Sequence, residues 1–151
     1  MALYLVQHGR SSSKEIDPEQ GITEEGQKEV ERIAMAAAGY GVKANSIIHS
    51  GKKRANQTAK ILADVLKPIQ GVTQMSGLDP LDDIELFAGT IDSDVNMIVV
   101  GHLPFLEKLA SYLIMGKTDH PVFKMQNGGI LCLDRLDGAW TIKWALMPHI
   151  G

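Results

Sequence analysis

Two histidines and one arginine stand at positions in this sequence where an anion pocket is readily built. His8 and His102 each follow a short apolar run, and each has a glycine beside it, Gly9 and Gly101. Arg54 comes shortly after a third apolar run. Two imidazoles and a guanidinium make a cationic pocket, and the glycines leave the backbone open to a ligand. The residue types therefore predict a pocket for phosphate or another anion.

The histidines also predict what such a pocket does. An imidazole nitrogen can attack phosphorus, which gives a phosphohistidine intermediate that water then cleaves. Phosphoryl transfer needs little beyond positioning and charge stabilisation. The sequence has no His-Glu-x-x-His pattern, no Walker loop and no tight acidic cluster, so we expect no metal and no cofactor. A lone histidine is more often structural, and the prediction depends on the three residues together.

Composition excludes several classes of protein. Apolar residues make up 44% of the chain and charged residues 22%, which is typical of a globular protein. The net charge of -3 argues against a broad nucleic-acid surface. The apolar run at residues 2–6 is too short for a signal peptide or a membrane span, so we expect a cytoplasmic protein without a membrane partner. Cys132 is the single cysteine and lies in an apolar run, which predicts a reduced core thiol.

Short apolar runs alternate with segments of helical periodicity, a pattern typical of the α/β class. We predict a single domain over residues 1–151, a three-layer α/β/α sandwich with a mostly parallel central sheet. In such sheets ligands bind outside the carboxyl ends of the strands, which is where the two histidines stand. The predicted strands are residues 2–7, 46–49, 72–75 and 96–100, followed by a hairpin of residues 129–136 and 140–147 that turns at Asp137-Gly138.

Capping residues predict where the helices begin. Thr23 has the N-cap pattern for a helix that runs to about Ala38, and Ser50 for one that ends before Pro68. Two further helices are predicted. One is a short helix over residues 79–87 with Pro80 at its first position, and the other is an amphipathic helix over residues 105–114.

Four segments of the chain resemble one known family. They are Leu5-Val6-Gln7-His8-Gly9, Gly21-Ile22-Thr23-Glu24-Glu25-Gly26, Ser50-Gly51-Lys52-Lys53-Arg54-Ala55-Asn56-Gln57-Thr58 and Val99-Val100-Gly101-His102-Leu103-Pro104. In this order they resemble the motifs of the histidine phosphatase superfamily, which includes phosphoglycerate mutases and acid phosphatases. The compact length and the His-Leu-Pro form look most like the SixA-type phosphohistidine phosphatases. The resemblance implies a phosphoglycerate mutase-like fold.

The resemblance also implies roles for single residues. His8 would be the nucleophile, Arg54 and His102 would bind the phosphoryl group, and Gly9 would fix the turn. Gln7 stands where the family has arginine, and a neutral amide is no equivalent of a guanidinium, so turnover is expected to be slow or absent. Arg10 either turns into the pocket to restore the charge or faces solvent.

The general acid is left open by the sequence. Asp79, Asp82 and Asp83 lie where the resemblance places one, and no motif chooses among them. A missing acid favours phosphohistidine as the substrate, because a leaving imidazole, with a free pKa of about 6.5, can depart already protonated.

The sequence thus predicts a metal-independent phosphatase that hydrolyses phosphohistidine on a protein through a phospho-His8 intermediate. One alternative is a phosphomonoesterase that acts on a small phosphorylated metabolite. The other, suggested by Gln7, is a low-activity module that binds phosphate or a phosphoprotein.

Overall fold

The structure is a computed structural model that describes residues 1–92 and 94–150. Within these residues the chain forms six strands and four helices. In chain order they are β1 (Ala2–Gln7), α1 (Glu24–Gly39), β2 (Ser46–His49), α2 (Lys53–Leu66), β3 (Val72–Gln74), α3 (Ile84–Ala88), β4 (Met97–Gly101), α4 (Phe105–Met115), β5 (Ile130–Leu136) and β6 (Ala139–Leu146).

The strands form one sheet in the order β3-β2-β4-β1-β5-β6. The four strands from β3 to β1 run parallel, and β5 and β6 are antiparallel. β1 and β4 are neighbours, and their register pairs Gln7 with Gly101, so both strands end at the same edge of the sheet. The predicted mostly parallel sheet is confirmed, and its carboxyl edge carries both candidate histidines.

Helices cover both faces of the sheet because its central strands are apolar on both sides. Along β1, Tyr4 and Val6 pack in the core beneath α1 and α2. Leu3 and Leu5 point to the opposite face and pack with α3 and α4. This alternation confirms the three-layer α/β/α sandwich.

The N-terminus of α1 lies against the loop that follows β1. The side chain of Thr23 accepts a hydrogen bond from the nitrogen of Gly26 at 2.9 Å, so the predicted N-cap is confirmed. A Cβ at Gly26 would overlap the carbonyl oxygen of Arg10 and lie 2.9 Å from the Arg10 nitrogen. Glycine therefore lets the helix approach the backbone two residues after His8.

Two predicted helix starts are wrong. α2 begins at Lys53 with Lys52 as its N-cap, because the hydroxyl of Ser50 is directed to His102 instead. α3 begins at Ile84 and not at residue 79, because the Asp83 carboxylate caps it by accepting from the Leu86 nitrogen.

The C-terminal hairpin and the cysteine match their predictions. Asp137 and Gly138 have φ values of 52° and 81°, as a tight two-residue hairpin turn requires. Cys132 lies in β5, and burial raises the pKa of its thiol to about 11, as expected of a core residue. No helix in residues 1–92 and 94–150 has the length and apolar character to cross a membrane.

Candidate active site

The carboxyl ends of β1 and β4 bring His8 and His102 together. The two ring centroids are 5.1 Å apart, with the planes inclined by 50°. The backbone nitrogen of His8 donates to the carbonyl of Gly101 at 3.1 Å, which ties the two junctions together. Arg54 lies in the first turn of α2, and its charge lowers the pKa of both histidines. The structure thus places all three predicted residues at one site.

The hydrogen bond made by the His8 ring fixes which of its nitrogens is free. Nδ1 of His8 lies 2.7 Å from the carbonyl oxygen of Gly9. A carbonyl oxygen only accepts, so Nδ1 carries the proton and Nε2 keeps its lone pair. Burial lowers the pKa of His8, and the Arg54 charge adds to this against the opposing effect of the Gly9 hydrogen bond. The ring is therefore a neutral nucleophile at neutral pH.

The turn that carries His8 is held from several sides. The nitrogen of Gly9 donates to Oγ1 of Thr58 at 2.9 Å, and Thr58 in turn donates to the carbonyl of Arg54 at 2.8 Å. The side-chain amide of Asn127 donates to the carbonyl of His8 at 3.0 Å. A Cβ at Gly9 would lie only 2.9 Å from a methyl group of Val30. These contacts fix the nucleophile and link its turn to α2.

His102 is held in a neutral form by its surroundings. Only 2% of the residue is exposed. Burial, together with the charges of His8, Arg54 and Lys52, lowers its pKa to about 3. Nε2 of His102 is 2.6 Å from the hydroxyl of Ser50, and Nδ1 is buried without a partner among the described residues. His102 therefore lies beside His8 without adding a positive charge to the site.

Gln7 immediately precedes the nucleophile in the chain and carries an uncharged amide. Its residue exposure is 9%, and its Oε1 is buried without a hydrogen-bond partner in the described part of the chain. Its backbone carbonyl accepts from the nitrogen of Gly128 at 2.8 Å. A buried amide oxygen without a donor is costly.

Arg10 does not make up for the missing charge. Its Nε donates to the carboxylate of Glu29 at 2.8 Å, and Glu25 lies 3.9 Å from its guanidinium. Glu29 is buried in α1 and also binds Nε2 of His149 at 2.5 Å. The prediction that Arg10 binds phosphate is therefore not supported, because its guanidinium is already neutralised.

The three candidate acids differ in what their carboxylates bind. Asp82 accepts from the nitrogen of Asp79 at 2.8 Å, and Asp83 caps α3. Both carboxylates thus satisfy local backbone groups. The carboxylate of Asp79 lies 3.9 Å from Nζ of Lys52, whose charge reaches His102. Asp79 is therefore the candidate acid that is linked to the site, through Lys52.

An open, mainly polar cleft of about 630 Å³ lies beside Arg54, and residues on its walls include Lys14, Gln20, Lys52, Arg54 and Asn56. No three His, Cys, Asp or Glu side chains in the described residues form a group that could hold a metal ion.

Three contacts of the site went unpredicted. Ser50 has the pattern of a helix cap but binds His102, and its position at the end of a predicted strand is the signal that could have indicated this. Nothing in the sequence around Glu29 indicates that its carboxylate is buried. Asn127 is 119 positions from His8 in the sequence. Only the folded chain brings Ser50 to His102, Asn127 to His8 and Glu29 to Arg10.

Family comparison agrees with this geometry. The family model "Histidine phosphatase superfamily (branch 1)" matches residues 3–86. The chain belongs to this superfamily. As a histidine phosphatase it also resembles an uncharacterised protein of Picosynechococcus sp. strain PCC 7002, with 30% identity over 142 residues, which are 88% of this chain and 84% of that protein.

Solved structures share the fold along nearly the whole chain. The protein histidine phosphatase SixA complexed with tungstate has a TM-score of 0.83 and 25% identity, over 98% of this chain and 97% of that one. The α-ribazole phosphatase from Shigella flexneri has a TM-score of 0.76 and 16% identity, over 100% and 98% of the two chains. The predicted phosphoglycerate mutase-like fold and the SixA-type resemblance are confirmed.

Proposed function

We propose that this histidine phosphatase removes the phosphoryl group from phosphohistidine on a protein, through a phospho-His8 intermediate and without a metal or cofactor. The observation that carries the proposal is the 2.7 Å hydrogen bond from Nδ1 of His8 to Gly9, which leaves Nε2 as a free nucleophile. The proximity of His102 and the charge of Arg54 support it.

In the first step, Nε2 of His8 attacks phosphorus and a new N–P bond forms. The bond from phosphorus to the substrate imidazole breaks, and its electron pair stays on that nitrogen. The leaving ring, protonated on its other nitrogen, departs as neutral imidazole. Arg54 stabilises the charge on the equatorial oxygens, and His102 adds a neutral hydrogen bond.

In the second step, a water oxygen attacks the phosphorus of phospho-His8. The His8–phosphorus bond breaks, and its electron pair returns to Nε2, which restores the free nucleophile. The protons of the water stay with the released phosphate or pass to solvent. The hydrogen bond to Gly9 holds the ring in the same tautomer through both steps.

The carboxylates near the site favour this substrate over a phosphoester. An alkoxide leaving group needs an acid, but Asp82 and Asp83 are occupied by backbone nitrogens and Asp79 faces Lys52. An imidazole leaves readily without one, since its free pKa is about 6.5. The open cleft beside Arg54 also leaves room for the surface of a substrate protein.

A second candidate function follows from Gln7. A pocket with an amide in place of a second guanidinium is expected to lose about a hundredfold in rate, the usual cost of one preorganised donor. A chain with so little turnover would serve as a binding module for phosphate or for a phosphoprotein. A phosphatase acting on a small phosphorylated metabolite is the remaining alternative.

Steady-state assays of three proteins separate these functions. The wild type, His8→Ala and the control His120→Ala, which removes an exposed histidine, are compared on a phosphohistidine peptide and on phenyl phosphate. We expect the wild type and the control to hydrolyse the peptide preferentially and His8→Ala to be inactive. Equal rates for all three proteins would refute the nucleophile, and phosphate binding without turnover would favour the binding module.

A further inference from the structure

Residues 147–150, which follow β6, are bound to the loop that leads into β5. The side chain of Gln126 in that loop contacts both backbone groups of His149. Its Nε2 donates to the His149 carbonyl at 2.9 Å, and its Oε1 accepts from the His149 nitrogen at 3.2 Å. Arg32 of α1 donates to the carbonyl of Pro148 at 3.0 Å. The segment is therefore fixed to α1 and to the loop before β5 together.

The ring of His149 binds this segment to a buried carboxylate. Its Nε2 lies 2.5 Å from Oε2 of Glu29, whose side chain is only 6% exposed. A carboxylate only accepts, so Nε2 of His149 carries the proton. The other oxygen of Glu29 accepts from Nε of Arg10 at 2.8 Å. One carboxylate thus joins the segment to the loop that follows His8.

The loop that contains Gln126 also holds the turn of the nucleophile. The amide of Asn127, the next residue, donates to the carbonyl of His8 at 3.0 Å. The nitrogen of Gly128 donates to the carbonyls of Gln7 and His8, at 2.8 and 3.2 Å. A shift of Gln126 therefore displaces the donors that fix the backbone of His8.

We propose that His149 is a positioning residue for the nucleophile and acts through Gln126 on the loop that holds His8. The inference rests on the proposed role of His8 and adds a residue from outside the pocket. Arg54 and His102 lie on other elements, so loss of the His149 ring should misplace the nucleophile and leave these two groups in place. A small misplacement of a reacting group can cost about a hundredfold in rate.

Hydrogen exchange measured by NMR tests the positioning without any reaction. The amide of Gly128 reports on the loop, because it donates to the carbonyl of Gln7, and the amide of Val99 in β4 reports on the core. We expect His149→Ala to raise the exchange rate of Gly128 by about tenfold or more relative to that of Val99. An unchanged ratio of the two rates would overturn the proposal, whatever the variant does to activity.

Steady-state kinetics test whether this position matters to the reaction. We expect His149→Ala to lower kcat/KM by about tenfold on phenyl phosphate and on a phosphohistidine peptide. The dissociation constant of inorganic phosphate, measured by calorimetric titration, should change by less than about twofold, because an interaction made only in the transition state is lost. An unchanged kcat/KM, or phosphate binding weakened as much as kcat/KM, would also overturn the proposal.

Two variants control for the substitution itself. His149→Gln keeps a neutral N–H donor for Glu29 and should recover most of the exchange protection and of the activity. His120→Ala removes an exposed histidine and should alter neither. A glutamine variant as impaired as His149→Ala would contradict the role of the hydrogen bond to Glu29.

A double-mutant cycle tests whether the effect passes through Gln126. Gln126→Ala removes the contact between the segment and the loop and keeps the His149 side chain, so it also serves if His149→Ala does not fold. If both residues act on the same loop contact, the double variant should lose no more activity than the worse single variant, a departure of about tenfold from additivity. Losses that simply multiply would refute the action through Gln126.

The positioning role and the proposed function fail separately. A protein that hydrolyses phenyl phosphate but no phosphohistidine peptide would refute the proposed substrate, and the ester would still serve to compare the variants. A protein that hydrolyses neither would refute the proposed reaction, and the exchange of Gly128 alone would then decide whether His149 holds the turn. Hydrolysis of the peptide through His8 with normal Gly128 exchange in His149→Ala would refute the positioning role alone.

Discussion

Replacing Gly26 by alanine is expected to destabilise this protein, although the same change within a helix normally stabilises one. Removal of a helical glycine usually contributes about 0.5–1 kcal/mol. Here the added Cβ would overlap the Arg10 carbonyl and lie 2.9 Å from the Arg10 nitrogen. Both atoms belong to the backbone, so no rotamer change relieves the contact.

The expected cost follows from these contacts. Overpacking costs about 1–3 kcal/mol, which outweighs the propensity gain and lowers the melting temperature by several degrees. The strain falls on the loop just after the nucleophile, and a small misplacement there can cost about a hundredfold in rate. Activity is therefore expected to fall in the folded variant as well.

Three further variants provide controls within the same protein. Gly39→Ala changes the last residue of the same helix, where a Cβ meets nothing within 4 Å, and should be neutral or stabilising. Gly9→Ala meets a methyl group of Val30, a side chain that Val30→Ala removes, so this pair should recover part of the loss. Denaturant unfolding of each variant provides the measurement. If Gly26→Ala proves as stable and active as the wild type, the close approach of α1 to the nucleophile loop is wrong.

Three other perturbations have defined outcomes. Ser50→Ala removes the hydroxyl that lies 2.6 Å from Nε2 of His102 and should lower kcat/KM by about tenfold. Ser50→Thr keeps a hydroxyl and should retain most of the activity. Equal kcat/KM values for Ser50→Ala and the wild type would show that this hydrogen bond does not position His102 for the reaction. Burial raises the pKa of Glu29, but its hydrogen bonds to Arg10 and His149 outweigh this and hold that pKa below its usual value. Glu29→Gln should therefore cost about 1–3 kcal/mol at neutral pH, and in urea titrations the difference should vanish as pH falls through the lowered pKa. The pH profile of kcat/KM on a phosphoester should lose activity only below about pH 6.5, because the pKa of His8 is lowered. Arg54→Gln removes one of the causes and should move this limb of the profile to higher pH.

The sheet and the position of the site could be predicted from the sequence because each depends on local patterns. Apolar runs fixed β1, β2 and β4 to within a residue, and a parallel sheet must bring their carboxyl ends to one edge. His8 and His102 therefore met as predicted. Thr23 and the Asp137-Gly138 turn were also predictable, since caps and hairpin turns depend on neighbouring residues alone.

Contacts between distant segments could not be predicted from the sequence. Ser50 has the pattern of a helix cap, and only the position of His102 across the sheet takes its hydroxyl away from the helix. The sequence does not decide which way Arg10 turns, because its partner, Glu29, lies 19 positions further along the chain. The predicted start of α3 at residue 79 is wrong for a local reason: the Asp82 carboxylate accepts from the Asp79 nitrogen in a turn, and the helix is capped by Asp83.

A covalent phosphoryl group on His8 is the central claim, and rapid-quench trapping tests it most directly. The protein is mixed with a phosphohistidine peptide labelled in its phosphoryl group, quenched in base within milliseconds, digested and sequenced by mass spectrometry. We expect an acid-labile, base-stable phosphate on Nε2 of His8, and none in His8→Ala. Turnover of the peptide without that phosphopeptide, or with the phosphate on another residue, would contradict the account.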